Sequence, residues 1–296
     1  MITSLMIAVC VLLRILSNPL GNVYQKQLTA KGHNPLLVNF LTYFFLSVGC
    51  VVGYWVLPTP HLYTGFWGYS LLGGVVGAMG NALLVKALDK GELSVLGPIN
   101  AYKSVIGMLA GIFVLHEIPN IWGILGIITI IYGSYFVLDS TTEKFSWKLF
   151  QKKEIQFRIG AMILTAIEAV FVKKVIQASS PPIAFISWSV CGAFFSFILL
   201  GFSNTDLKKS LTTLNPSIFC KYLLLTICVG TMQFTTNYTF KHISVGYALA
   251  LFQLSAIVSV WLGHTVFQEQ GIGKKLLGAI IMVVGSLMIL LLRNFP

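Results

Sequence analysis

Apolar runs of about 20 residues recur from one end of the chain to the other, each long enough to cross a hydrocarbon layer of roughly 30 Å as a helix. Ten can be drawn, at 4–27, 35–57, 66–87, 93–115, 119–138, 157–177, 182–203, 217–239, 244–267 and 271–292. Only helices satisfy every backbone group in lipid-bounded segments of this kind. The pattern therefore predicts an all-α integral membrane fold of ten transmembrane helices, with no stretch left over for a soluble domain. The first run lacks a basic leader and an Ala-x-Ala-like cleavage site and carries Arg14 mid-run, so it is expected to be retained. Pro19, which lacks a backbone N–H and crowds the carbonyl of Ile15, predicts a kink there.

The hydrophobic pattern hides a repeat. Shifted by 152 positions, Gly111–Leu138 lies without a gap on Gly263–Leu290, with identity at Gly111/Gly263, Val114/Val266, Glu117/Glu269, Leu125/Leu277, Gly126/Gly278, Ile128/Ile280, Gly133/Gly285, Ser134/Ser286 and Leu138/Leu290. Leu and Ile matches are cheap in an apolar chain, so the weight rests on the glycines, the serine and the lone acid, in the order G-x5-E-x8-G-x6-G-S. The first run matches the sixth at an offset of 147, through Val23/Val170, Tyr24/Phe171 and Lys26/Lys173, with Pro35/Pro182 beyond. The chain divides into a first five-helix repeat over 1–138, a charged linker over 139–156 and a second repeat over 157–296. Five spans per half force the second half to enter the bilayer from the opposite side. The halves are thus predicted to be two inverted five-helix repeats, with a site near the midplane between them.

Composition agrees, at 56% hydrophobic and only 10% charged residues, with a mean hydropathy of +0.83. The net charge of +11 sits in short loops, where it sets orientation and meets anionic lipid headgroups rather than nucleic acid. Arg14 and Lys103 fall within spans; Lys173, Lys174, Lys241 and Arg293 lie on the side of the termini and the other fourteen on the opposite side, which puts both termini outside the cytoplasm. Cys10, Cys50, Cys191, Cys220 and Cys228 all fall in spans without CxxC spacing and read as packing thiols. No cofactor or metal is implied. His116–Asn120 is not HExxH, and GxSxG, Walker and DDxxD patterns are missing, so the sequence does not read as an enzyme.

Candidate chemistry lies in the ionisable groups inside the spans, Arg14, Lys103 and Glu168, because each costs roughly 2.5–3.5 kcal/mol at mid-membrane. Arg14 and Glu168 either form an ion pair holding repeat-related helices together or meet a solute in a wet cavity. Lys103 has no acid at its depth and shares a helix face with Asn100. Further candidates for substrate binding are Asn18, Asn39, Tyr43, Asn81, Trp188, Gln233, Asn237 and Gln253, polar side chains set in apolar spans. Glu117 and Glu269 sit at equivalent span ends and are expected to cap the N-terminus of the helix that follows each. The repeat is least exact where the charge lies, since Lys103 aligns with Ser255 and Glu168 with Gly21.

Two such halves, with an acid at the end of the fourth and ninth spans followed by a glycine-spaced fifth and tenth, resemble the EamA-like branch of the drug/metabolite transporter superfamily over nearly the whole chain. LHEIPNIWGILGIITIIYGSYFVL and FQEQGIGKKLLGAIIMVVGSLMIL carry the likeness. The chain departs from the family in having His116 and Gln268 before the acid, where glycine is usual, and in the stretch Arg14 to Pro19, where a Trp-Gly-containing segment is common. The resemblance implies a cavity lined by helices one to four and six to nine, with five and ten outside. It implies cytoplasmic termini, against the charge count, and a bacterial inner membrane location.

The expected function is secondary, gradient-driven or facilitative transport of a small polar metabolite such as an amino acid or other carboxylate, by alternating access. Partners would be the solute, membrane lipid and a coupling proton, with Arg14 and Lys103 holding the anionic group. From another class, a membrane scaffold or lipid-binding protein with structural buried charges fits the same sequence.

Overall fold

The computed structural model describes residues 2–54, 61–103, 105–106, 120–139, 150–203 and 215–291. Gly107, Gly111 and Glu117 lie outside the described residues. The chain is helical: α1 (Ile2–Ala30), α2 (Pro35–Tyr54), α3 (Phe66–Lys90), α4 (Leu93–Ile99), α5 (Ile121–Asp139), α6 (Lys153–Gln177), α7 (Pro181–Gly201), α8 (Pro216–His242), α9 (Val245–Phe252), α10 (Ser255–Phe267) and α11 (Ile272–Leu291). Among the described residues seven helices are long and apolar enough to cross a membrane, one of them running through α9 and α10, and Pro35–Val51 is a shorter apolar helix.

Local signals set the helix starts. Asn34 accepts from the Leu36 N–H ahead of α2, and Asn215 accepts from the Ile218 N–H ahead of α8. Each asparagine is followed by a proline, whose missing donor costs nothing in a first turn. Pro19 does not interrupt α1, which is continuous through it. α6 begins at Lys153, four residues before the apolar run suggested, and so takes in part of the expected linker.

The fourth and ninth spans are each broken, where the sequence pattern predicted one helix. α4 ends at Ile99, and helix resumes only after a turn at Asn100 and Ala101. Pro98 supplies no N–H, and the Asn100 N–H goes to the Gly97 carbonyl at 3.1 Å instead of reaching back a full turn. The second break, at Gln253 and Leu254, falls within one residue of the equivalent position and has no proline. There the chain tightens, Gln253 N–H bonding Ala250 and Leu254 N–H bonding Leu251.

Among the described residues the most extensive helix pairings all run between halves: α3 with α6, α5 with α11, α1 with α8, α2 with α7, α3 with α7, and α4 with α10. Each pair maps onto itself or onto another contacting pair under the repeat. The α5/α11 contact displays the axis directly. A Cβ on Gly126 would lie 2.7 Å from the Gly285 carbonyl, and one on Gly133 would lie 2.8 Å from the Gly278 carbonyl. As 126 corresponds to 278 and 133 to 285, the contact is self-complementary and antiparallel, as an in-plane two-fold requires. These glycines allow backbone to meet backbone, a common device where lipid supplies no hydrophobic drive.

Candidate functional site

A cavity of about 130 Å³ lies between the halves, walled by α1, α2, α3, α6, α7, α8 and α9 and by Asn100 and Lys103 just beyond the end of α4. α1 presents one face to it, with Arg14, Ser17, Asn18, Gly21, Asn22 and Gln25 following at helical spacing. The expected residues Arg14, Asn18, Tyr43, Asn81, Asn100, Lys103, Glu168, Trp188 and Gln233 all line it.

Asn39, Asn237 and Gln253 do not line it, but stand directly behind. Asn39, fully buried, accepts from Asn81 Nδ2 at 2.6 Å and donates to the Ala78 carbonyl at 3.2 Å. Gln25 Nε2 continues this chain of amides onto Asn81 Oδ1 at 3.3 Å. Asn237 accepts from Gln233 at 3.0 Å and donates to the Pro181 carbonyl at 3.3 Å. Gln253 accepts from Asn100 Nδ2 at 3.4 Å, so that the two helix breaks are tied to each other across the axis.

Arg14 and Glu168, expected either as a pair or as solute ligands, are not paired with each other. Arg14 Nε donates to Thr236 Oγ1 at 3.0 Å, and its guanidinium lies 4.8 Å from the centre of the Phe252 ring. Its Nη1 is buried without a partner, as are Ser17 Oγ and Gln25 Oε1. Glu168 accepts from Trp188 Nε1 at 2.6 Å, and Trp188 packs on Tyr43 with ring centres 4.8 Å apart. The carboxylate lies so close to α3 that a Cβ on Gly77 would collide with Glu168 Oε1. Lys103 is within electrostatic reach of Arg158, Arg14 and Glu168.

Sequence reasoning missed Arg158, counting it with the basic residues of the solvated side. It is 7% exposed, reaches the cavity and donates from Nε to the Leu96 carbonyl at 2.7 Å. That carbonyl is the one a regular helix would have bonded to the Asn100 N–H. The signal that could have found Arg158 is its position three turns below Glu168 on α6.

Glu269 corrects another expectation. It caps not the helix that follows it but α4 of the other half, accepting from the Leu93 N–H and the Ser94 N–H, both at 2.8 Å, and from the Ser94 hydroxyl. Lys26 of α1 bonds the same carboxylate at 2.8 Å and the Gly91 carbonyl at 2.8 Å. Lys26 is therefore half-buried in an ion pair, and Lys275, which pairs with Glu92 and is 1% exposed, is buried, so neither is the solvated base that the loop positions suggested.

Inverted helical halves closing on a polar cavity define a multi-pass membrane transporter. The chain belongs to the EamA-like transporter family, whose sequence profile matches residues 5–139 and 152–291, and hence to the drug/metabolite transporter superfamily. No curated protein matches it in sequence. It is similar to a solved structure described only as the crystal structure of a protein, with a TM-score of 0.67 at 12% identity over 99% of this chain and 97% of that one, a likeness of fold alone.

Proposed function

We propose that the protein is a secondary transporter of a small polar solute bearing a carboxylate or similar anionic group, such as an amino acid or other carboxylate. In this reading the broken fourth and ninth spans complete a set of ten crossings, and residues 1–138 and 157–296 act as the two moving halves. The observation that carries the reading is the meeting of two helix breaks at Asn100 and Gln253 beside a cavity walled by both halves. Discontinuous helices at a repeat interface are where secondary transporters of this plan hold substrate. Arg14 and Lys103 would bind the anionic group, and Glu168, the one carboxylate among the described lining residues, would take the amine or the coupling proton.

In proteoliposomes given a panel of labelled metabolites, the wild type is expected to take up an anionic or zwitterionic solute. Arg14→Ala and Lys103→Ala should each reduce that uptake at least about tenfold, the loss of one charge-assisted contact of roughly 1.5–3 kcal/mol. Wild-type rates in both variants, with folding intact by size-exclusion profile, would remove these residues from the site.

A further inference from the structure

The charge inside the cavity is unbalanced. Arg14, Lys103 and Arg158 line one volume with Glu168 as the single carboxylate among the described lining residues. Amides and hydroxyls make up the other polar lining, from Ser17, Asn18 and Asn22 to Thr165 and Thr236. When all four groups are ionised, two positive charges have no counter-charge in the wall. Burying unpaired cations is costly, and among the described residues Glu269 is taken by Lys26 and the start of α4, and Glu92 by Lys275.

The two arginines also keep unused donors. Arg14 has a buried Nη1 with no partner. Arg158 spends Nε on the Leu96 carbonyl, which fixes the side chain and leaves the fork of its terminal nitrogens at the cavity. Glu168, within electrostatic reach of Lys103, can offset only one of the three charges, and its carboxylate accepts from Trp188 and lies against the backbone of Gly77.

We propose that the cavity is built for a small dianion, a molecule with two anionic groups or one doubly charged group, and that Arg158 is a third substrate-binding cation alongside Arg14 and Lys103. A zwitterion adds no net charge and leaves the imbalance in place. A monoanion corrects half of it. A dianion supplies both missing charges at once. The inference rests on the transporter reading and narrows its substrate class.

The test is counterflow into proteoliposomes at pH 8 with succinate, inorganic phosphate and sulfate as dianions, succinamate as the singly charged analogue of succinate, and alanine, lactate and putrescine as other charge types. At least one dianion is expected to exchange, and succinamate should be about 30-fold weaker than succinate or more if succinate is taken, the effect of removing one partner from a buried charge pair. Lys103→Gln, whose side chain supports no neighbouring element through a described bond, should narrow the gap between dianion and monoanion. Arg158→Lys should preserve the preference and Arg158→Gln should lose it, which a purely structural role at Leu96 would not do. Exchange of alanine, lactate or succinamate with none of the dianions would overturn the inference and leave the transporter reading standing. No exchange of any solute by a folded protein would overturn both.

Discussion

Glu269→Gln is expected to destabilise the protein by about 3–5 kcal/mol, the cost of leaving one member of a buried pair without its partner. The carboxylate is 8% exposed and holds four donors at once: the Lys26 ammonium, the first two N–H groups of α4 and the Ser94 hydroxyl. An amide of the same shape cannot accept from all of them, and it strands Lys26. Gly263 belongs to the same construction, since a Cβ there would lie 2.5 Å from Glu269 Oε2 and 2.9 Å from the Ser94 nitrogen. Burial alone would raise the Glu269 carboxyl pKa, but hydrogen bonds from Lys26 and Ser94 outweigh it and hold the group below its ordinary value of 4.5. A carboxyl depressed in the folded state contributes stability in full above the unfolded value and loses it as pH falls through the folded one. The gap in unfolding stability between purified wild type and Glu269→Gln should therefore be widest at neutral pH and narrow as pH falls below 4.5. A gap that is unchanged in acid would mean the carboxylate charge plays no part. Lys26→Met combined with Glu269→Gln should cost less than the sum of the two, because they share one contact.

Gly133→Ala and Gly278→Ala should each cost up to about 3 kcal/mol, at the upper end of the range for overpacking. The added methyl group meets backbone, not a side chain that could swing aside: the Gly278 carbonyl at 2.8 Å in one case and the Gly133 carbonyl at 2.5 Å in the other. α5 and α11 must then move apart along their length, and Met282 and Val137, packed against these positions, lose their contacts with them. Once the helices have separated for one methyl, the second finds room. The double variant should therefore be less destabilised than the two singles added together. Additive costs would place the two glycines in separate contacts.

The repeat was legible because its marks are chemical exceptions in an apolar text: Gly126, Gly133, Ser134 and Glu117 in one half, and their counterparts in the other. Those glycines also form the α5/α11 contact, so the residues that disclosed the symmetry are among those that enforce it. Most of the cavity was legible for a similar reason, a polar side chain in the middle of an apolar run being costly unless it has a use. Arg158 was not, because near the end of a run a basic side chain reads as solvated, and only packing against Leu96 reveals that it turns inward. The partner of Glu269 was equally hidden. Sequence adjacency pointed to the next helix, whereas the N–H groups it accepts from lie 175 and 176 residues away in the chain. The second helix break has no proline to mark it; Gln253 was legible only as a polar side chain in an apolar run, and not as the place where the helix tightens and meets Asn100 across the axis.

The pairing of helices between halves carries a consequence for how the chain reaches this state. α1 finds its main partner in α8, and α3 finds its own in α6. Gln27 waits for Lys221, 194 positions later, and Lys26 for Glu269, 243 positions later. During synthesis α1 to α5 are made with their broad contact faces, the glycine strip of α5 among them, still without the helices they fit. The α5/α11 contact can close only once α11 has been made, and until then the glycine strip of α5 has no partner from its own chain.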